Sequence, residues 1–431
     1  MSYVVGLKCR ECGRRYPEAG VHVCEECFGP LEVEYDYAKM RGQITRESIA
    51  AGPHSLWRYA ALLPVDFTLG PPRTGLYSGM TPLRRARNLE RVLDVAELYI
   101  KDDAANYPTW SYKERVVSVA IQKAIELGYR TVACASTGNL ANSLSAHAAE
   151  AGLNAYVLIP HDLEHAKVIG SLIYGPQVVR IDGNYDDVNR LCSEIADRYH
   201  WAIVNVNLRP FYTEGAKTYG YEIAEQLGWK LPRHTVVPTA GGTLLPKIHK
   251  AYSELVELGL VDAQEARIYS AQAAGCSPVV EALKSGRDTI LPQKPHTIAK
   301  SISIGNPADG YSVLDVLRRT GGWGETASDP EIHEAVQLLA RTEGIWTEPA
   351  GGTTLAAAIK LIAQGRIPRD ESICVCITGN GYKTVESLDG QLKMPEVIPA
   401  RMDAFAQLVE RRGVTPEQMS TAPRWMTDNM M

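Results

Sequence analysis

The chain reads as α/β, with mainly parallel sheets wound by helices, on three observations. Eight short runs rich in β-branched residues (ELYIK, TVACAS, AYVLIP, QVVRID, AIVNV, TVVPT, RIYSAQ and ICVCIT) begin near residues 97, 131, 155, 177, 202, 235, 267 and 373. The four from 131 to 202 start about 22 to 25 residues apart, the spacing of strand–helix–strand units. They are continuously apolar rather than alternating, as strands covered on both faces require.

The intervening stretches carry helical stripes. In VVSVAIQKAIELG, Val116, Val117, Ala120, Ile121, Ala124 and Ile125 share one face, and Gly128 supplies a stop. This body runs over residues 96–395. Before it, residues 41–95 are rich in Pro and Arg and are expected to wrap the body; after it, residues 396–431 form a tail. Residues 1–40 are expected to form a small zinc-ribbon-like cap. There Cys9, Cys12, Cys24 and Cys27 make two C-x-x-C pairs, each turn aiming two thiolates at one ion. Disulfides or idle thiols are the alternative. Four sulfurs leave no open coordination position, so the zinc is expected to be structural. The other five cysteines, Cys134, Cys192, Cys276, Cys374 and Cys376, lie singly or in apolar runs and read as reduced, buried small hydrophobes.

A chain of 431 residues with a formal charge of −5 carries no electrostatic footprint for nucleic acid or an acidic membrane. No signal-peptide-like run opens it, and nowhere do about 18 uncharged apolar residues follow one another. The expectation is a cytoplasmic protein that binds neither membrane nor nucleic acid.

In wound sheets ligands bind beyond the carboxyl ends of the strands. Three such places are chemically suggestive. In ACASTGNLANSL, Ser136, Thr137 and Asn139 precede a helix, whose free N–H groups suit an anion; an ordinary capped helix is the alternative. In VVPTAGGTLLPKI, Ala240, Gly241, Gly242 and Thr243 make a candidate phosphate cradle, and Ala350 to Thr353 in EPAGGTTL read as a near copy. In ICVCITGNGYK the strand ends at Thr378, whose hydroxyl can meet a ring heteroatom.

A lysine completes the set. Ser111 and Glu114 have capping-box spacing, which predicts Lys113 as the second residue of a helix. The positive end of the helix dipole disfavours an ammonium there. It favours an amine that must lose its proton to react, although a snorkelling surface lysine is the alternative. Pyridoxal phosphate needs a lysine, a phosphate cradle, a carboxylate site and a ring-nitrogen partner, and each has a candidate. P-loop, dinucleotide and nucleophile-elbow motifs are absent, and the ten histidines form no ligand spacing.

These segments resemble the fold-type II pyridoxal-phosphate enzymes and, among them, the threonine synthases. PTWSYKERV is similar to the family's P-T-x-S-F-K-D-R segment, and STGNLANSLSAHAA to its asparagine loop. IGNPADGY, TEPAGGTT and TGNGYK look like later landmarks, and the C-x-x-C pairs and SLWRY like one branch. The resemblance implies two open, mainly parallel sheets in a two-lobed body, the smaller lobe near 115–215. It implies that Lys113 carries the cofactor as a Schiff base and that Asn139 bonds its phenolic oxygen. Ala240 to Thr243 would hold the phosphate, and Thr378 would face the pyridine nitrogen. Ser136 and Thr137 would take the substrate carboxylate, and Arg209, with Lys217 as second choice, the substrate phosphate. The implied reaction converts O-phospho-L-homoserine to L-threonine and phosphate, in a homodimer. Trp110, Tyr112, Glu114, Tyr382 and the TAGGT cradle depart from the family pattern. They leave open a related enzyme doing β-elimination or β-replacement on a different (phospho)amino acid.

Overall fold

The computed structural model describes residues 2–21, 23–136, 138–160, 165–182, 185–392 and 395–411. Its first element is a small antiparallel sheet of β1 (Val4–Cys9), β2 (Arg15–Tyr16) and β3 (Leu31–Tyr35), in the order β2-β1-β3. Leu7, Cys9, Leu31, Val33 and Tyr35 are its buried hydrophobic residues, packed against the main body.

Ten further strands follow: β4 (Leu83–Arg85), β5 (Glu97–Asp102), β6 (Thr131–Ala135), β7 (Asn154–Pro160), β8 (Gln177–Ile181), β9 (Ala202–Ile203), β10 (His234–Pro238), β11 (Arg267–Ala273), β12 (Gly324–Ala327) and β13 (Ser372–Ile377). They form two sheets. The smaller has the order β8-β7-β6-β9 and is parallel throughout. The larger has the order β12-β11-β10-β13-β5-β4 and is parallel except for its edge strand β4. The expected α/β class with two parallel-rich sheets is therefore what the chain adopts. All eight β-rich runs are strands; AIVNV contributes only its first two residues. β4 and β12 lie outside the eight runs. LRR and GETA have too little β-branched character to announce a strand, and their neighbours in the sheet recruit them.

Continuous apolar runs are explained by two-sided burial. β10 is buried at every position, and β13 at every position but its first. The edge strand β8 is mostly exposed. Cys134, Cys192, Cys276, Cys374 and Cys376 are all buried and unpaired, as expected.

One turn expectation fails. Ala350 to Thr353 lies inside the helix Pro349–Ala363, fully buried. Its glycines serve packing: a Cβ on Gly352 would lie 2.7 Å from Ile332 O, in the neighbouring helix Asp329–Glu343. Between residues 41 and 95, Leu56, Trp57, Tyr59 and Leu62 are buried, and Arg46 and Arg58 bond Leu260 O and Glu225. The helix Met402–Arg411 buries no residue, and the tail beyond 411 lies outside the described residues.

Candidate active site

The segment before Lys113 is pinned to the carboxyl end of β13. Tyr112 N–H donates to Thr378 O at 2.9 Å, and Asn380 N–H to Trp110 O at 3.1 Å. Ser111 bridges Gly379. The helix Lys113–Glu126 begins at Lys113 itself, with no side-chain cap. The expected capping box does not form, because the Glu114 carboxylate turns inward. It accepts from Thr109 Oγ1 at 2.5 Å and Ser143 Oγ at 2.9 Å, and meets His147 Nε2 at 3.0 Å. A buried carboxylate gains more from these partners than from a backbone N–H at the helix mouth. His147 is therefore a buried member of this cluster.

Lys113 Nζ lies 3.0 Å from Tyr112 Oη and 3.2 Å from Tyr212 Oη. Burial alone lowers the pKa of this amine, but the two tyrosine oxygens aimed at it outweigh burial, and the net direction is up. That is opposite to the expectation from the helix dipole, since direct contacts at 3 Å exceed the field of a helix end.

Tyr212 belongs to the helix Arg209–Glu214. Arg209 Nη2 lies 2.7 Å from Asp309 Oδ2, which also accepts from Thr243 Oγ1 at 2.9 Å. Asp309 N–H donates to Gly241 O at 2.8 Å. Arg209 and the glycine turn therefore form one cluster, at the mouth of the helix Leu244–Glu257. Gly242 has φ of 94°, and a Cβ there would come within 2.9 Å of the Asp309 backbone, so only glycine fits. A Cβ on Gly241 would meet nothing within 4 Å; that side of the turn is open. Ala240 is half-buried against the core of the larger sheet.

Asn139 opens the helix Asn139–Ala151, and its Nδ2 lies 3.1 and 3.2 Å from the two oxygens of Glu348. Burial pushes the Glu348 carboxyl up, and the Asn139 bond partly offsets it. Glu348 N–H donates to Gly379 O at 3.0 Å, and a Cβ on Gly379 would meet Glu348 Oε1 at 2.5 Å. Through Glu348 the asparagine loop thus meets the loop after β13. Ser136 directly follows β6 and is half-buried; Thr137 lies outside the described residues. Val204 N–H donates to Ala133 O in β6, and the next residue, Asn205, has a buried amide oxygen without a partner among the described residues. Such an orphan acceptor at a strand end suits a ligand.

Lys217 is not part of this gathering. It is fully buried, with Nζ 2.8 Å from Leu62 O, 2.7 Å from Glu214 and 3.1 Å from Glu254. An ammonium held by two buried carboxylates and a carbonyl has no reach to a substrate phosphate. The sequence reading also passed over Tyr212, Asp309 and Glu348. Asp309 and Glu348 stand inside the landmarks IGNPADGY and TEPAGGTT, and Tyr212 lies three residues after Arg209; that proximity is the available signal.

In the N-terminal sheet the sulfurs of Cys9, Cys12, Cys24 and Cys27 all lie within 4.8 Å of one another. Tetrahedral zinc with bonds of about 2.3 Å needs sulfurs about 3.8 Å apart, so the donor set fits. The Tyr16 hydroxyl donates to Cys24 Sγ at 3.1 Å and holds that thiol down to about 6.

The family described as "Pyridoxal-phosphate dependent enzyme" matches residues 75–379, and the NinF protein family matches residues 8–32. The threonine synthase of Methanocaldococcus jannaschii is 36% identical over 94% of this chain and 99% of its own. The chain belongs to the threonine synthase family of pyridoxal-phosphate-dependent enzymes. The threonine synthase of Mycobacterium bovis is 34% identical over 84% of this chain and 96% of its own. Maize serine racemase superposes with a TM-score of 0.60 at 20% identity, covering 74% of this chain and 96% of that one. Diaminopropionate ammonia lyase from Escherichia coli gives 0.61 at 17%, covering 72% and 86%. These two likenesses are of fold alone. The enzyme is a pyridoxal-phosphate-dependent lyase, and among the described residues no helix is long and apolar enough to cross a membrane.

Proposed function

We propose that this threonine synthase family enzyme releases phosphate from O-phospho-L-homoserine and adds water at the β-carbon, giving L-threonine. The observation that carries the reading is the gathering of Lys113, the glycine turn, Asn139 and Thr378 at the carboxyl ends of β6, β10 and β13 in a chain of this family.

In this reading Lys113 tethers the cofactor, and its amine moves protons at the substrate carbons once released. Ala240, Gly241, Gly242 and Thr243 hold the cofactor phosphate by backbone N–H groups and the field of the following helix. Asn139, braced by Glu348, orients its amide toward the cofactor's phenolic oxygen. Thr378 presents a hydroxyl rather than a carboxylate to the ring nitrogen. Ser136 and Thr137 take the substrate carboxylate. Arg209 meets the substrate phosphate, which there replaces the Asp309 carboxylate as its counter-charge. When bound, pyridoxal phosphate supplies the electron sink for carbanion chemistry.

We also infer a structural zinc at Cys9, Cys12, Cys24 and Cys27, which the four-sulfur geometry supports, and a cytoplasmic homodimer, which the motif resemblance implies. Sedimentation velocity reads the dimer directly. The reaction is tested by incubating the purified enzyme with O-phospho-L-homoserine. Equal amounts of phosphate and threonine are expected. Release from O-phosphoserine with none from phosphohomoserine would overturn the reading in favour of a β-eliminating relative.

A further inference from the structure

Two groups at the centre of the site have no part in the reaction as described above. The hydroxyls of Tyr112 and Tyr212 both reach Lys113 Nζ, and neither has another hydrogen-bond partner among the described residues. Neighbouring contacts hold Tyr212 in place. It is buried, and the helix that carries it is fixed at one end by Arg209 on Asp309. At the other end Glu214 accepts from Tyr35 at 2.9 Å, Lys247 at 2.6 Å and Lys250 at 2.9 Å. Tyr112 is half-buried, with the amine 4.6 Å from its ring centroid.

A phenol both donates and accepts, whereas an ammonium only donates. With Lys113 charged, both phenols accept from it and their own protons are left without a protein acceptor. With Lys113 neutral, one phenol donates to the nitrogen lone pair while a remaining N–H reaches the other. The pair therefore satisfies either charge state. A carboxylate would hold only the ammonium, and an apolar side chain neither. Burial pushes the Tyr212 phenol up to about 12, so it stays protonated through the neutral range.

We propose that Tyr212 and Tyr112 are catalytic residues that manage the proton of Lys113, Tyr212 bracing the amine in both charge states and Tyr112 exchanging its proton with the cleft. In the exchange step the Tyr112 O–H proton passes to neutral Nζ as the Tyr112 oxygen takes a proton from cleft water. The phenol ends as it began, Lys113 gains one proton and the solvent loses one. The reverse step discharges the ammonium. The proposal rests on the reading of Lys113 as the reacting amine.

The test uses Tyr212→Phe and Tyr112→Phe. Cofactor-free wild-type and variant proteins are acetylated with acetic anhydride across a pH series, and Lys113 modification is followed by peptide mass spectrometry. Loss of a hydrogen bond to the ammonium lowers the Lys113 pKa, so labelling below that pKa is expected to be about tenfold faster in each variant. In the holoenzymes kcat is expected to fall about tenfold or more with KM within about twofold, the pattern of a group that acts after binding. Lys113 labelling profiles that superimpose on wild type would overturn the proposal, and so would shifted profiles with unchanged kcat. If Tyr212→Phe does not fold, Tyr112→Phe is held to the same two criteria. Protection of wild-type Lys113 from labelling by pyridoxal phosphate separately tests the lysine assignment, so the two failures are distinguishable.

Discussion

Arg115, next in the chain after Glu114, holds the reactive segment to the body. It is fully buried, its guanidinium 2.7 Å from both oxygens of Asp103 and 2.8 Å from Glu222 Oε2. Glu222 in turn takes Lys101 at 2.6 Å. Removing one member of such a cluster leaves buried charge without compensation. Arg115→Met is therefore expected to lose about 3–5 kcal/mol of stability in urea unfolding, and a loss below about 1 kcal/mol would contradict the account. At this scale the reach of sequence is short. Lys113 was legible because its aromatic neighbours and the helix mouth are local. Tyr212 stands 99 residues away and the Asn139–Glu348 bond spans 209, distances over which no local pattern operates. For Lys217 the local partner Glu214, three residues back, was in view, but Glu254 and Leu62 O, 37 and 155 residues away, were not. Its carboxylate partners Glu214 and Glu254 belong to a buried cluster that only folding assembles.

The strands were legible because burial on both faces writes itself as an unbroken apolar run, and β10 and β13 show the cause directly. Weakly patterned elements were not. β12 contains glycine and glutamate, and the Ala350–Thr353 glycines mimicked a turn while serving close helix packing. The C-x-x-C pairs were legible since ligand spacing is a property of the local chain. β1 pairs with β3 directly beside Cys9, so an ion shared by the four sulfurs would tie both ends of this element together. Purified enzyme is expected to hold one zinc ion per chain by elemental analysis. Cys12→Ser should abolish it and lower Tm, because structural zinc binding contributes folding free energy of about 10–16 kcal/mol in small modules. A wild-type protein prepared without chelator that holds no zinc would refute the metal assignment.

Over the whole molecule, two parallel-rich sheets deliver their loops to one region. The loops after β6 and β13 meet through Asn139, Glu348 and Gly379. The loop after β10 joins them through Asp309, Arg209 and the helix that carries Tyr212. Lys113, on the first turn of the helix leading into the smaller sheet, stands where these loops converge. Everything proposed for the reaction depends on this amine being the one that bonds the cofactor. The most direct measurement is to add pyridoxal phosphate, reduce with borohydride, digest, and locate the pyridoxyl mass by peptide sequencing. The account predicts a single adduct, on Lys113, that disappears in Lys113→Ala. An adduct confined to another lysine, or none at saturating cofactor, would contradict it.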